Sequence, residues 1–490
     1  MKAWWCTLLM ACGCASAARA QEGGPLPLGP PAPLVDPLPQ PLPEPLPDPL
    51  PEPNNQVDPI IAARADVATA CTLPAQWAHC KTTLADNRAL LTSVDDAAMV
   101  KDLDERLAVW SVAAAKTIGV LLPLSGPQAK AGETAREAIE LALSDLGVRA
   151  VYADSGGEPI KATAAALKLL TEDHVAALLG PIGRQETSAV AAVARRFVVP
   201  QVTLSVLTDE QSARATDVVM RVRTSPVEVA WFLAREARAR MGITRAAVLY
   251  PDTELGKEAA TAFAEELQRQ GADVARLVAY DPKTTDFKAV MKALMRAERP
   301  GKKVVADFDA LFVPDAPDVV KRVLPQLELW HVPLRLAPLS GPVGKGKTTP
   351  VQLLGSMAWD SPLIIDKAEG LTDNATFAVI RADTSTPEGQ AFATRFQARW
   401  SKAPLSFHAE VYDAARFLAG AVAKVDGADQ DLRLALQDKL RQSRTEVGAT
   451  GPLRVTMGML DPRVQLMTIQ GTTIRARLAE DDERTQRAAP

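Results

Sequence analysis

The stretch Thr117–Gly147, TIGVLLPLSGPQAKAGETAREAIELALSDLG, decides the fold. Ile118 to Leu122 is an unbroken apolar run of buried-strand length. Pro123 stops the run, and Ser125-Gly126-Pro127 supplies turn chemistry. Beyond the turn, Ala135, Ala138, Ile139, Ala142, Leu143 and Leu146 recur at i, i+3, i+4 spacing, which predicts one apolar helix face. Gly147 stands where a helix C-terminus favours a residue that tolerates positive φ. Strand, loop and helix in this order open a βαβ unit. In open α/β sheets, ligands meet the protein at the carboxyl ends of strands, so the Ser125–Gly126 loop is the first candidate binding loop.

The alternation continues downstream. Strands are expected over 149–153, 175–179, 199–204 and 218–222, with helices over 160–170 and 187–197. A second set starts near Pro226, with helices expected over 226–241, 255–270, 285–298 and 317–329. Its strands are expected over 246–250, 274–278 and 310–313, with short ones at 353–355 and 377–380. Helices over 388–401, 406–425 and 430–442 follow, and Gly448–Arg477 reads as two short strands around Asp461-Pro462. Such alternation specifies parallel sheets covered by helices on both faces. Two sets predict an α/β protein with two lobes and a central cleft, a favoured place for a small-molecule site.

The chain has 490 residues, which predicts two or three domains. A net charge of −4, with both signs interspersed, lacks the clustered basic face of a nucleic-acid binder. The four histidines, His79, His174, His331 and His408, are scattered, so neither a metal site nor a cofactor is expected. No segment after the first twenty residues is long and apolar enough to span a bilayer.

The N-terminus supports two readings of an export signal. Lys2, an apolar run and Ala18-Arg19-Ala20 form a secretory leader, residues 1–20, cut before Gln21. Leu9-Met10-Ala11-Cys12 resembles a lipoprotein box, in which Cys12 becomes the lipidated first residue. Either reading exports the chain to the periplasm, and the second anchors it to the outer membrane through Cys12. Cleavage before Gln21 leaves Cys71 and Cys80 as the only pair, suited to a disulfide in an oxidising compartment. Residues 21–53 are a proline-rich, disordered spacer, whose polyproline run could reach roughly 90 Å at about 3.1 Å per residue. Residues 54–115 read as a small helical module, with helical spacing over 60–71 and 95–112 and a break at Thr72-Leu73-Pro74. Residues 116–477 form the bilobal domain, and 478–490 a disordered tail.

IGVLLPLSGPQAKAGETAREAIELAL resembles the opening of type I periplasmic solute-binding proteins of the leucine/isoleucine/valine-binding group. ALLGPIGRQETSAVAAVARRFVVPQVTLS, AAVLYPDTELGKEAATAFAEELQRQGADV and DALFVPDAPDVVKRVLPQLELW follow in the family's order. HAEVYDAARFLAGAV and GATGPLRV complete the set. The resemblance covers Thr117 to Arg477 and implies two Rossmann-like lobes joined by three crossover strands. It extends to related outer-membrane lipoproteins that activate penicillin-binding proteins behind an N-terminal helical region.

The resemblance also implies four ligand loops. They map to Ser125 and Gly126; to Arg184, Gln185 and Glu186; to Ser205, Val206 and Thr208; and, in the second lobe, to Leu255 with Asp318. Leu255-Gly256 stands where amino-acid binders carry a Tyr-Gly pair, and Glu186 would repel a ligand carboxylate that Arg184 could attract. Asp318 falls near the acid that meets an ammonium group. The ordinary α-amino-acid pattern is therefore eroded.

Other signals carry less. Gly341-Pro342-Val343-Gly344-Lys345-Gly346-Lys347-Thr348 has phosphate-loop spacing, but Pro350 and the strand-like Val351–Leu354 deny it the helix such a loop needs. No nucleophile elbow is present, and Ser125 has no histidine near it in sequence, so no enzyme activity is expected. Trp330 and Trp359 read either as cleft aromatics or as ordinary core or surface residues. The expected function is capture of a small polar solute, amino-acid-like or an amide, as the substrate-binding component of an ABC importer with an inner-membrane permease as partner. The alternative is an envelope regulator that uses the fold to activate a peptidoglycan synthase.

Overall fold

In a computed structural model of the chain, the described residues are 58–205, 218–221, 225–301, 304–338, 349–366, 368, 370–425, 432–456 and 459–477. The leader, Cys12, the spacer, Val206, Thr208, the 341–348 motif and the 478–490 tail lie outside them.

The first lobe is built on the predicted unit. Strand β1 (Ala114–Leu122) pairs in parallel with β2 (Arg149–Asp154) and β3 (Val175–Leu179). Strands β4 (Gln201–Thr203) and β5 (Val219–Arg221) extend the sheet in the same sense. The second lobe repeats this with β6 (Arg245–Pro251), β7 (Asp273–Tyr280), β8 (Ala310–Val313), β9 (Gln352–Gly355) and β10 (Thr376–Val379). The parallel orders are β2-β1-β3-β4-β5 and β7-β6-β8-β9-β10, so each lobe reverses its winding after its first strand. Strands β11 (Thr445–Gly448), β12 (Gly451–Thr456) and β13 (Met459–Asp461) join the first sheet beside β5. Strands β14 (Gln465–Gln470) and β15 (Thr473–Ala476) join the second beside β10. Residues 445–477 thus hold five short strands divided between the lobes, where two are expected over 448–477.

Side-chain alternation places a core on each face of each sheet. Ile118, Val120 and Leu122 pack on α4 (Ala129–Leu143), whereas Leu121 packs with α5 (Pro159–Thr171) and α6 (Arg184–Phe197). In the second lobe Ala246 and Val248 meet α7 (Pro226–Arg240) and α8 (Glu254–Arg269). Ala247 and Leu249 meet α9 (Lys288–Met295) and α10 (Pro317–Leu329). Trp330 and Trp359 are both buried in this last core, and the Trp359 indole donates to the Asp315 carbonyl at 3.0 Å. They are core residues and line no open cleft.

The chain crosses between lobes three times. It leaves β5 for α7, returns through residues 380–386 to α11 (Pro387–Trp400) and α12 (Ser406–Ala423) on the first lobe, and crosses again at 462–464. Helix α13 (Leu432–Gln442) also packs on the first lobe. Two of the motifs quoted above meet here. Asp413 of HAEVYDA, buried in α12, accepts from the Ala449 and Thr450 amides of GATG at 2.6 and 2.9 Å and from the Thr450 hydroxyl at 2.7 Å. Gly448 permits this approach, because a Cβ there would lie 2.5 Å from the Asp413 carboxylate.

The N-terminal helices belong to the same compact unit as the lobes. They are α1 (Pro59–Ala70), α2 (Trp77–Asn87) and α3 (Val94–Trp110), and a disulfide joins Cys71 to Cys80. Helix α2, which buries only Cys80 and Leu84, is an element the sequence reading did not include. The Trp110 indole donates to the Phe197 carbonyl at 2.8 Å, and Arg196 pairs with Asp102 at 2.7 Å. Buried Arg433 of α13 donates to the Val109 carbonyl, and to that of Val175 at 2.8 Å. These bonds fasten α3 to the first lobe.

Candidate functional site

Doubly wound sheets bind ligands outside the strand carboxyl ends, where the winding reverses. In the first lobe that point lies between β1 and β3, and in the second between β6 and β8. The loops leaving these four strands define the candidate site.

The loop after β1 is shaped by its neighbour. Asp154, ending β2, accepts from the amides of Leu124 (2.8 Å), Ser125 (3.2 Å) and Gly156 (2.8 Å). The Ser125 hydroxyl also bonds to Asp154, and these donors hold its carboxyl below the usual range. Ser125 and Gly126 are exposed, and Gly126 has φ +79°. Its backbone lies close to Gly156, whose carbonyl would sit 3.1 Å from a Cβ at Gly126.

The loop after β3 turns tightly at Gly180, where a Cβ would lie 2.2 Å from the Leu121 carbonyl. It then opens α6. Glu186 is buried and folds back to accept from the Gly183 amide at 3.0 Å. The residue expected to repel a carboxylate instead caps the helix and faces inward. Gln185 is exposed. Ser205 is buried, and its amide donates to the Thr203 hydroxyl (3.2 Å), which lies 3.1 Å from that of Thr187. These hydroxyls form a buried chain beneath the loops.

Across the cleft, Thr253 caps α8 by accepting from the Gly256 amide at 3.1 Å. A concavity of about 250 Å³ opens here at the ends of β6, β8 and β9. Its wall is mostly apolar, with Leu233, Leu255, Phe312 and Met357, and Asp315 supplies a carboxylate. Asp315 accepts from the Tyr280 hydroxyl and from the Ala316 amide at 2.7 Å. Burial, then Asp315, hold the Tyr280 phenol well above its ordinary pKa. Asp318 stands one turn further on, exposed and paired with Arg322 at 2.8 Å. Asp315 lines the concavity.

Besides the Arg221–Glu228 pair at the first crossing, 2.8 Å between β5 and α7, two contacts among the described residues bridge the lobes. Arg184, at the start of α6, places Nη2 3.0 Å and Nη1 3.3 Å from the two carboxylate oxygens of Glu258 on α8. Glu254 lies 3.5 Å from the same guanidinium. On the other bridge, the Ser406 hydroxyl of the first lobe donates to Asp360 of the second, which Arg381 approaches at 3.2 Å. Arg184 and Leu255 thus flank one cleft, whereas Ser205 is buried in the first lobe and Asp318 is exposed and paired with Arg322. The partners Glu258 and Asp360 had no distinguishing sequence signal. Among the described residues no group of three or more His, Cys, Asp or Glu side chains is placed to hold a metal ion.

Fold and site together define a bilobal α/β cleft protein, hinged by three crossings. Residues 116–312 match the model of the periplasmic binding protein family. Over 190 residues the chain is 28% identical to the Leu/Ile/Val-binding protein homolog 3 of Brucella melitensis, covering 37% of this chain. The chain spans about half (51%) of that relative's length. The leucine-binding protein LivK of Thermotoga maritima superposes with a TM-score of 0.56 at 20% identity, covering 74% of this chain and 97% of its own. LivJ of Streptococcus pneumoniae, in complex with isoleucine, gives 0.56 at 19% identity, covering 74% and 98%. A Rhodopseudomonas palustris solute-binding protein in complex with p-hydroxybenzoic acid gives 0.57 at 20% identity, covering 74% and 95%. Residues 116–312 are thus similar to the periplasmic binding protein family, and the lobes share the fold of these solved solute-binding proteins.

Proposed function

We propose that the chain is an exported, non-enzymatic solute-binding protein that closes its two lobes around a small organic solute. The observation that carries this reading is the Arg184–Glu258 pair. It joins the carboxyl-end loops of the two sheets across one cleft, beside an apolar concavity of about 250 Å³. The solute's apolar part fits against Leu233, Leu255 and Met357, and its polar group competes with Glu258 for Arg184. An amino-acid-like solute, an amide or an aromatic acid has this combination. Delivery to an inner-membrane ABC permease completes the role.

A second reading has its own observation. Asp154, Glu186 and Thr203 already accept the donors around the first-lobe loops, and α3 is fastened to that lobe. A scaffold for a protein partner, such as a peptidoglycan synthase, needs no solute and uses such a self-satisfied cleft.

A thermal-shift panel of amino acids, amides, short peptides and aromatic acids separates the two. A solute at 100 times its Kd stabilises the native state by about 2.7 kcal/mol. The solute reading predicts a shift that Arg184→Ala and Leu255→Asp both reduce. A flat panel gives the scaffold reading its support.

A further inference from the structure

The Ser406–Asp360 bridge between the lobes starts from the first turn of α12. Ser406, the first residue of that helix, donates through its hydroxyl to Asp360 of the second lobe, and Arg381 approaches the same carboxylate at 3.2 Å. Two residues on, His408 is 2% exposed and caps the same turn from within, its Nδ1 accepting from the Leu405 amide at 2.7 Å. A glutamate or glutamine at this third helical position makes the same return bond in a capping box. Here the bond is made by a ring that takes up a proton near neutral pH.

Both ring nitrogens are committed. A backbone amide can only donate, so Nδ1 carries no hydrogen, and the proton of the neutral ring sits on Nε2, 3.0 Å from Glu137 of α4. Glu137 in turn holds Lys402, of the loop between α11 and α12, at 2.8 Å. On the α11 side the ring meets Phe396, with 4.4 Å between centroids, and Arg399, three residues further along α11, pairs with Glu140 of α4 at 3.2 Å. On α12 itself Glu410 and Asp413 are buried, and Asp413 is taken up by Ala449 and Thr450. A doubly protonated ring would turn Nδ1–H against the Leu405 N–H, donor against donor. The second proton therefore enters only when that bond breaks.

We propose that protonation of His408 uncaps α12 and releases the Ser406–Asp360 bridge, so that acid loosens the two lobes. Leu405, Ser406 and His408 share one turn, and losing the Leu405 bond frees the backbone that aims the Ser406 hydroxyl at Asp360. By reciprocity, removing the bridge must ease protonation of the ring. The device rests on lobes that move, as solute capture does, but it needs no solute, so the two readings fail separately.

The test follows the imidazole by NMR and the lobes by pulsed electron resonance in the full chain. Spin labels go at Glu133→Cys on α4 and Leu363→Cys near Asp360, both exposed. One pH unit below the imidazole midpoint, the distance between the labels should be longer and broader than one unit above it. Amides of 404–409 should then exchange about tenfold faster, with β1 and β6 unchanged. His408→Gln keeps an acceptor for the Leu405 amide and does not titrate, so it should show neither change. Ser406→Ala leaves the ring in place, so it should show the longer distance at both pH values and raise the imidazole midpoint toward the ordinary 6.5. A distance that is the same on both sides of the midpoint, or that lengthens equally in His408→Gln, would overturn the proposal. A midpoint that Ser406→Ala leaves unmoved would overturn it as well.

Discussion

Arg184 and Glu258 form a two-pronged ion pair, 3.0 and 3.3 Å, between helices of different lobes. Both side chains are partly exposed, 23% and 34%, so the pair contributes little to folding, on the order of 1 kcal/mol or less. Under the proposed lobe closure, its effect falls on the equilibrium between open and closed lobes, where a contact present in one state shifts the populations. Arg184→Ala should leave the unfolding midpoint within a degree or two and increase the radius of gyration measured by small-angle scattering. Salt at 1 M should move the wild type in the same direction. An unchanged radius of gyration in the variant would mean that the pair does not hold the lobes.

Asp413 should behave in the opposite way. Its carboxylate is the acceptor for two buried amides and one buried hydroxyl. Removing it strips these donors of that acceptor, at about 1–3 kcal/mol for each buried group left unpaired. Asp413→Ala should therefore lower the stability of the first lobe by at least about 3 kcal/mol in urea unfolding. Asp413→Asn, which keeps one carbonyl acceptor, should lose less.

The Cys71–Cys80 disulfide closes a loop with a sequence separation of nine. Chain-entropy reasoning assigns such a short loop roughly 2–3 kcal/mol. Reduction should release α1 and α2, seen as faster amide exchange there, while β1 and β6 keep their protection. A uniform loss across both lobes would show that the helices support the whole fold.

His408 gives the pH dependence a sign. It is buried in α12, its Nε2 3.0 Å from Glu137, and its Nδ1 accepts from the Leu405 amide at 2.7 Å. Burial lowers its pKa below 6.5, an effect that Glu137 opposes and that Lys402, also paired with Glu137, reinforces. The unfolded chain then binds the proton more readily. The contribution is present above pH 6.5 and is lost as pH falls through the folded value. Stability should drop between pH 7 and pH 5, and His408→Gln should flatten that part of the profile. An NMR titration of the imidazole should show its midpoint below 6.5.

The lobes were legible because their strands are short, continuous apolar runs and their helices are strongly one-sided. Ile118–Leu122 and Val175–Leu179 announce buried strands, and Ala135 to Ala142 a packed face. The tail strands were not, because segments such as Met459–Asp461 are too short to display a period of two. At the site, position was legible and partnership was not. Arg184 follows the Gly180–Gly183 turn in plain view, but Glu258 is 74 residues away on another lobe, among ordinary solvent-facing charges. Glu186 reads as a ligand residue or as a cap equally well, and the structure makes it a cap. Asp315 and Asp318 both flank the start of α10, and only the fold shows which one faces the concavity.

The most direct test of solute capture between the lobes is a distance measurement across the cleft. Spin labels at Ser188→Cys, on exposed α6, and Asp252→Cys, beside α8, report the separation by pulsed electron resonance. A solute from the thermal-shift panel should narrow the distribution and shorten its mean, with Arg184→Ala broadening it when no solute is present. A distribution that no member of the panel alters, together with unshifted melting, would contradict solute capture.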